Sequence, residues 1–106
     1  MIGLIYMKSH RTDNGTIVAM CDSSLIDKVL KGNGAELNIR DYSGFYKGEL
    51  VGPAKALALL ETKDLLSANI VGEESVRVAI DKGVIDSDNV KMIGDVPYAH
   101  AFTIKY

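Results

Sequence analysis

Apolar and polar positions follow a two-residue period along some stretches of this chain and a helical period along others. Residues 2–9 read as a strand, with Leu4, Tyr6 and Lys8 on one face and Ile5 and Met7 on the other. The segment His10-Arg11-Thr12-Asp13-Asn14-Gly15 has turn composition, and Asn14-Gly15 is a strong hairpin signal. The returning strand, Thr16 to Cys21, is apolar on both faces, which predicts a place inside a sheet. Ala35 to Arg40 alternates again, with Ala35, Leu37 and Ile39 facing inward and Glu36, Asn38 and Arg40 facing water. Asp41 to Gly52 has no period.

Three segments carry helical spacing. Asp22-Ser23-Ser24 offers N-caps for a short helix whose apolar face is Leu25, Ile26, Val29 and Leu30, stopped by Gly32-Asn33-Gly34. Pro53 stands at a first helical position ahead of an Ala- and Leu-rich helix running from Ala54 through Leu66. After a short strand ending at Val71, Glu73 and Glu74 complement the positive end of a third helix. Val76, Ala79 and Ile80 give that helix its apolar face, and Gly83 offers a left-handed stop. A polar turn at Asp86-Ser87-Asp88, a strand Val90 to Ile93, a turn from Gly94 to Pro97 and a last strand Ala99 to Lys105 complete the chain. Strands and helices alternate irregularly behind an opening hairpin. The predicted fold is therefore α+β: a single compact domain, residues 1–106, with a mixed, mostly antiparallel sheet and about three helices.

Composition narrows the class. A chain of 106 residues with 47% hydrophobic and 25% charged residues is long enough to bury a core and too apolar for disorder. One cysteine excludes an internal disulfide, which fits a reducing, cytoplasmic setting. Residues 1–50 carry six Lys/Arg against six Asp/Glu, and residues 51–106 six against eight, so neither half is a basic domain. The first residues lack the charged start and long apolar run of a signal peptide, and no apolar run is long enough to span a bilayer.

Candidate chemistry is sparse. Cys21 closes a strand just before a helix start, where a thiolate is stabilised, but no base or oxyanion partner lies near it in sequence, and burial in the core is the simpler role. His10 and His100 could join Cys21 and Asp22 around zinc if the first and last strands were neighbours, but there is no short-spaced ligand pair, and no metal is predicted. Gly72 before a helix start resembles an anion cradle. Glu73 and Glu74 compete for that end and the Lys-Ser/Thr pair of a nucleotide loop is missing, so no cofactor is predicted. Asp86 and Asp88 lack the loop-spaced Glu of a calcium site and read as turn caps. Arg40, Tyr42, Phe45, Tyr46 and Lys47, set between glycines, combine cations with aromatic faces and form the best binding surface, with a folded-back core lid as the alternative.

Several phrases occur in a familiar order: Val18-Ala19-Met20-Cys21-Asp22 leading into a segment with Lys28, then Phe45-Tyr46-Lys47-Gly48-Glu49, Asn69-Ile70-Val71-Gly72-Glu73, and Gly94-Asp95-Val96-Pro97. Together they resemble a family of small archaeal proteins, domain of unknown function four-two-four, over nearly the whole chain. In that family a His-Ala-Gln follows the proline. Here Tyr98-Ala99-His100 stands there, so the histidine is displaced by two positions. The resemblance implies an archaeal cytoplasmic protein and brings no catalytic residues.

These features predict a non-catalytic binding or adaptor module, with RNA or a translation-linked protein as partner and no membrane. A small enzyme or metabolite-binding protein is the alternative, with a pocket where Cys21, the Tyr46 loop, Tyr98 and His100 converge. A homo-oligomeric subunit, joined through an open sheet edge or the Ala-rich helix, is the third.

Overall fold

The opening hairpin seeds the sheet. In the computed structural model, which describes residues 3–32, 34–61 and 64–102, β1 (Ile5–Thr12) turns at Asp13-Asn14 into β2 (Gly15–Asp22). The two strands pair in full, from Ile5 opposite Asp22 to Thr12 opposite Gly15. His10, Arg11 and Thr12 are thus strand residues, because a two-residue loop carries the ladder up to the turn itself.

The remaining elements are β3 (Val29–Gly32), β4 (Ala35–Asn38), α1 (Ser43–Tyr46), β5 (Glu49–Val51), α2 (Pro53–Leu59), β6 (Leu65–Val71), α3 (Glu73–Lys82), β7 (Lys91–Ile93) and β8 (Val96–Phe102). Six strands form one sheet in the order β5-β1-β2-β6-β8-β7, and β3 pairs with β4 separately. β2 and β6 are parallel, and every other neighbouring pair is antiparallel. This is the expected α+β architecture of one domain: three helices and a mixed, mostly antiparallel sheet.

Period two sorts the side chains of β2 onto two cores, as its apolar pattern requires. Val18 and Met20 face one way with Ile5, Met7, Ala68 and Ile70, and meet Ala56 of α2, Leu60 just after it, and Val76, Val78 and Ala79 of α3. Burying each of the larger side chains contributes roughly 1.5–3 kcal/mol. Ala19 and Cys21 face the other way with Val71, and are covered by Ile39, Tyr46 and the partly buried Leu25, Ile26, Leu30 and Leu37. The chain between β2 and β5 therefore acts as a cap on the second face. Among the described residues no helix is long and apolar enough to cross a membrane.

Two predicted helices are corrected. Residues 22–30 form only a single turn at Ser23–Leu25, and Val29 and Leu30 lie in β3. Asp27 takes φ 71°, which ends helical progression, and the β3–β4 ladder satisfies the backbone groups that a helix would have paired internally. The Ala-rich helix stops at Leu59, and Leu65 and Leu66 belong to β6. Pairing with the open side of β2, begun by Thr16 N–H donating to Asp64 O at 2.8 Å, outweighs their helical propensity. β5 lies inside the stretch read as irregular. The part of the predicted last strand beyond Phe102 lies outside the described residues.

The third helix is as predicted. It runs from Glu73 to Lys82, with Gly83 at φ 81° as its left-handed cap. A Cβ on Gly83 would meet open space, so Gly83→Ala incurs only backbone strain. A thermal melt should show a loss of about 1 kcal/mol.

Candidate functional site

Because β2 and β6 run parallel, their C-terminal ends lie side by side, and α3 leaves β6 through Gly72 directly beside Asp22. The Asp22 carboxylate caps this helix from 52 residues away in sequence. One oxygen accepts from Glu74 N–H at 3.0 Å. The other accepts from Ser75 N–H at 2.8 Å and from the Ser75 hydroxyl at 2.8 Å. Ser75 is fully buried and Asp22 is 9% exposed. Gly72 sits at φ 108°, and a Cβ there would lie 2.2 Å from the Asp22 carboxyl carbon. The helix start that resembles an anion cradle in sequence is thus filled by the chain's own carboxylate. Beside it opens a cleft of about 300 Å³, whose acidic lining is Asp22, Glu73, Glu74 and Asp95, with Leu25 and Val96 among its apolar walls. In the sequence, Glu73 and Glu74 read only as caps. The convergence of Asp95 with them depends on β8 pairing with β6.

Cys21 is the neighbour of Asp22 on the opposite side of the strand. Its thiol has 0% exposure and donates to Asp22 O at 3.4 Å. Burial, and secondarily the Asp22 carboxylate, pushes the thiol up to about 12. The thiolate that a nucleophile needs is therefore suppressed, and Cys21 serves as core. Tyr46 packs in the same cluster at 8% exposure. Burial, and then the nearby Cys21 group, raises its hydroxyl to about 12 as well.

The 40–49 loop divides by depth. Phe45 stacks on His10 with ring centroids 4.6 Å apart and planes 9° from parallel, and stands edge-on to Tyr46 at 5.1 Å. His10 Nε2–H donates to Phe45 O at 2.8 Å, and the Lys8 ammonium donates to Gly44 O at 2.7 Å. Phe45 and Tyr46 are therefore the inner, packed half. The outer half is Arg40, Tyr42 and Lys47, all exposed, with Tyr42 at 65%. Arg40 pairs with Asp41 at 3.5 Å, and Asp41 is also held by the Asn38 side chain at 2.8 Å.

The other sequence candidates separate. Tyr98 packs against the second core to which Cys21 and Tyr46 belong, with Val71 of β6 between Tyr98 and Cys21 in the sheet. His100 is exposed two residues further along β8, edge-on to Phe102 at 4.8 Å. Tyr98 and His100 line a cavity of about 370 Å³ with Asp88, Asn89 and Lys91, a lining that excludes Cys21 and Tyr46. His10 and His100 stand on strands separated by β2 and β6, roughly 14 Å apart at ordinary strand spacing, too far to share a metal ion. Among the described residues no group of three or more His, Cys, Asp or Glu could hold one.

The family described as Protein of unknown function (DUF424) matches residues 10–104. A crystal structure of an uncharacterized conserved protein from Methanopyrus kandleri superposes with a TM-score of 0.77 at 26% identity, covering 97% of this chain and 96% of that one. No curated protein matches.

Asp22→Ala should cost about 2–4 kcal/mol in chemical denaturation, because it removes the helix cap and strands the buried Ser75 hydroxyl. Alkaline behaviour follows from the second core. Both acidic groups there have folded-state values above their ordinary 9 and 10, so their contribution is intact below about pH 9 and is lost as pH rises towards 12. A pH series of thermal melts should show Tm falling above pH 9, with Cys21→Ala shifting that onset upward. Native Cys21 should resist thiol reagents until the protein unfolds.

Proposed function

The chain belongs to the DUF424 family of proteins of unknown function, and on that premise we propose that it is a non-catalytic module binding single-stranded RNA through the outer half of the 40–49 loop. One observation carries this reading: Tyr42 presents an open ring at 65% exposure close in sequence to Phe45, which stacks on His10, with exposed Lys47 and the Asp41-paired Arg40 on either side in sequence. Open aromatic faces accept bases of any sequence, and adjacent cations meet the phosphates. The anchoring of Phe45 and Tyr46 below supports it, because a platform fixed before binding loses little entropy on binding. Charge placement is also favourable. The acids of this loop, Asp41 and Glu49, are neutralised by Arg40 and Lys55, while the acidic cleft gathers at the start of α3. Lys47 has no ion pair among the described residues.

Titration of mixed-sequence single-stranded RNA at about 50 mM salt tests it. Tyr42→Ala should weaken binding by on the order of 1–3 kcal/mol through lost stacking. Lys47→Ala should make the salt dependence shallower by about 0.7 in log–log slope, since one phosphate contact is gone. Tyr46→Ala should lower Tm. Wild-type protein that shows no binding overturns the RNA assignment.

A further inference from the structure

The cap covers the second face of the sheet over Ala19 and Cys21, while the same face carries exposed side chains along the later part of β8. The register shows what stands there. His10, Ile17, Ser67 and Phe102 form one row across β1, β2, β6 and β8, and Lys8, Ala19, Asn69 and His100 form the row beside it. Each end of this strip sets a histidine against a phenylalanine: His10 stacks on Phe45, and His100 stands edge-on to Phe102. At the β8 end the side chains are open to a ligand. Phe102 is 69% exposed, and His100 is exposed beside it. Half-buried Asn69, directly opposite His100, makes no side-chain hydrogen bond among the described residues. Lys91, opposite Tyr98, shares this face and lines the cavity of about 370 Å³ together with His100.

We propose that this end of the sheet is a nucleobase subsite: a base stacks on Phe102, Asn69 and His100 hydrogen-bond its edge, and a phosphate meets Lys91. Resting on the RNA reading of the 40–49 loop, the subsite takes the strand on from Phe45 across roughly 14 Å of sheet, the spacing from β1 to β8. Aromatic rings on a sheet face are a stacking platform for unpaired bases. His100 and Phe102 project side by side from one strand, and Asn69 lies diagonal to Phe102, about 7–8 Å away, within reach of the rim of a stacked base. A carboxamide presents a donor and an acceptor together, the pattern that meets a base edge. Charge favours a nucleic acid as occupant. No Asp or Glu projects from this face of the described β1, β2, β6, β7 or β8, whereas Lys8 and Lys91 do, with Asp88 at the rim of the cavity.

Anisotropy titrations of the full chain with short oligoadenylate and oligouridylate at about 50 mM salt, beside inorganic polyphosphate, test the subsite. Phe102→Ala should weaken both oligonucleotides by about five- to a hundredfold with unchanged circular dichroism, since its ring is exposed, and Phe102→Tyr should restore binding. Asn69→Ala should weaken the two unequally, because adenine and uracil offer a carboxamide different groups. Lys91→Ala should make the log–log salt slope shallower by about 0.7. Polyphosphate should bind more weakly and ignore Phe102→Ala. Binding that Tyr42→Ala weakens and Phe102→Ala leaves unchanged overturns the subsite and leaves the loop reading standing; the converse pattern overturns the loop reading alone. Polyphosphate that binds as tightly as RNA overturns the subsite, and so does a wild type that binds no RNA, whatever protein or peptide the face captures.

Discussion

The carboxylate of Asp22 joins the first half of this protein to the second. It ends β2, the strand against which both halves of the sheet form, and it satisfies the start of α3, the helix that covers the first core. Helix N-termini leave N–H groups unpaired, and an anion placed there answers both the missing hydrogen bonds and the dipole. With both carboxylate oxygens engaged, the end of β2 cannot shift relative to the start of α3 without leaving the helix N–H groups and the buried Ser75 hydroxyl unpaired. That requirement explains Gly72 in two ways: the backbone enters a left-handed conformation, and the carboxylate occupies the space of a side chain.

The same junction divides the molecule functionally. A helix start after a parallel strand is ordinarily an anion site, but here an internal anion has taken it, and the surrounding cleft is lined with further carboxylates. The opposite face of the sheet is closed by the segment between β2 and β5, whose inner side chains shield Cys21 from water. Chemistry that the thiol or the Tyr46 hydroxyl could perform in water is suppressed by that burial. What the segment offers to a partner is its outer surface, where Arg40, Tyr42 and Lys47 remain in solvent.

The candidate loop was legible as a mixture and not as an arrangement. Five residues read as one surface from composition, because aromatic rings and cations serve binding sites and core lids alike. Whether a ring is buried depends on what lies beneath it. Phe45 and Tyr46 fall over His10 and Cys21, residues more than twenty positions away, while Tyr42 stays in solvent. The acidic cleft was less legible still, since Asp22, Glu73 and Asp95 come from three separate segments.

Local pattern determined what local physics controls. The opening hairpin, Pro53 starting a helix, and α3 with Gly83 at its end rest on contacts within a few residues and stand in the structure, the hairpin loop falling at Asp13-Asn14, one position ahead of the Asn14-Gly15 signal. Tertiary structure decided the rest. Leu25 to Leu30 has helical spacing, yet a hairpin with β4 and the second core drew its latter part into a strand. Leu65 and Leu66 continue a helical composition, yet the open side of β2 claimed them. Even Asp22, a sound cap for the residues after it, caps a helix 52 positions on, at Glu74. In each case one short segment had two local solutions of similar energy, and burial against a distant strand or helix, which no local period encodes, chose between them.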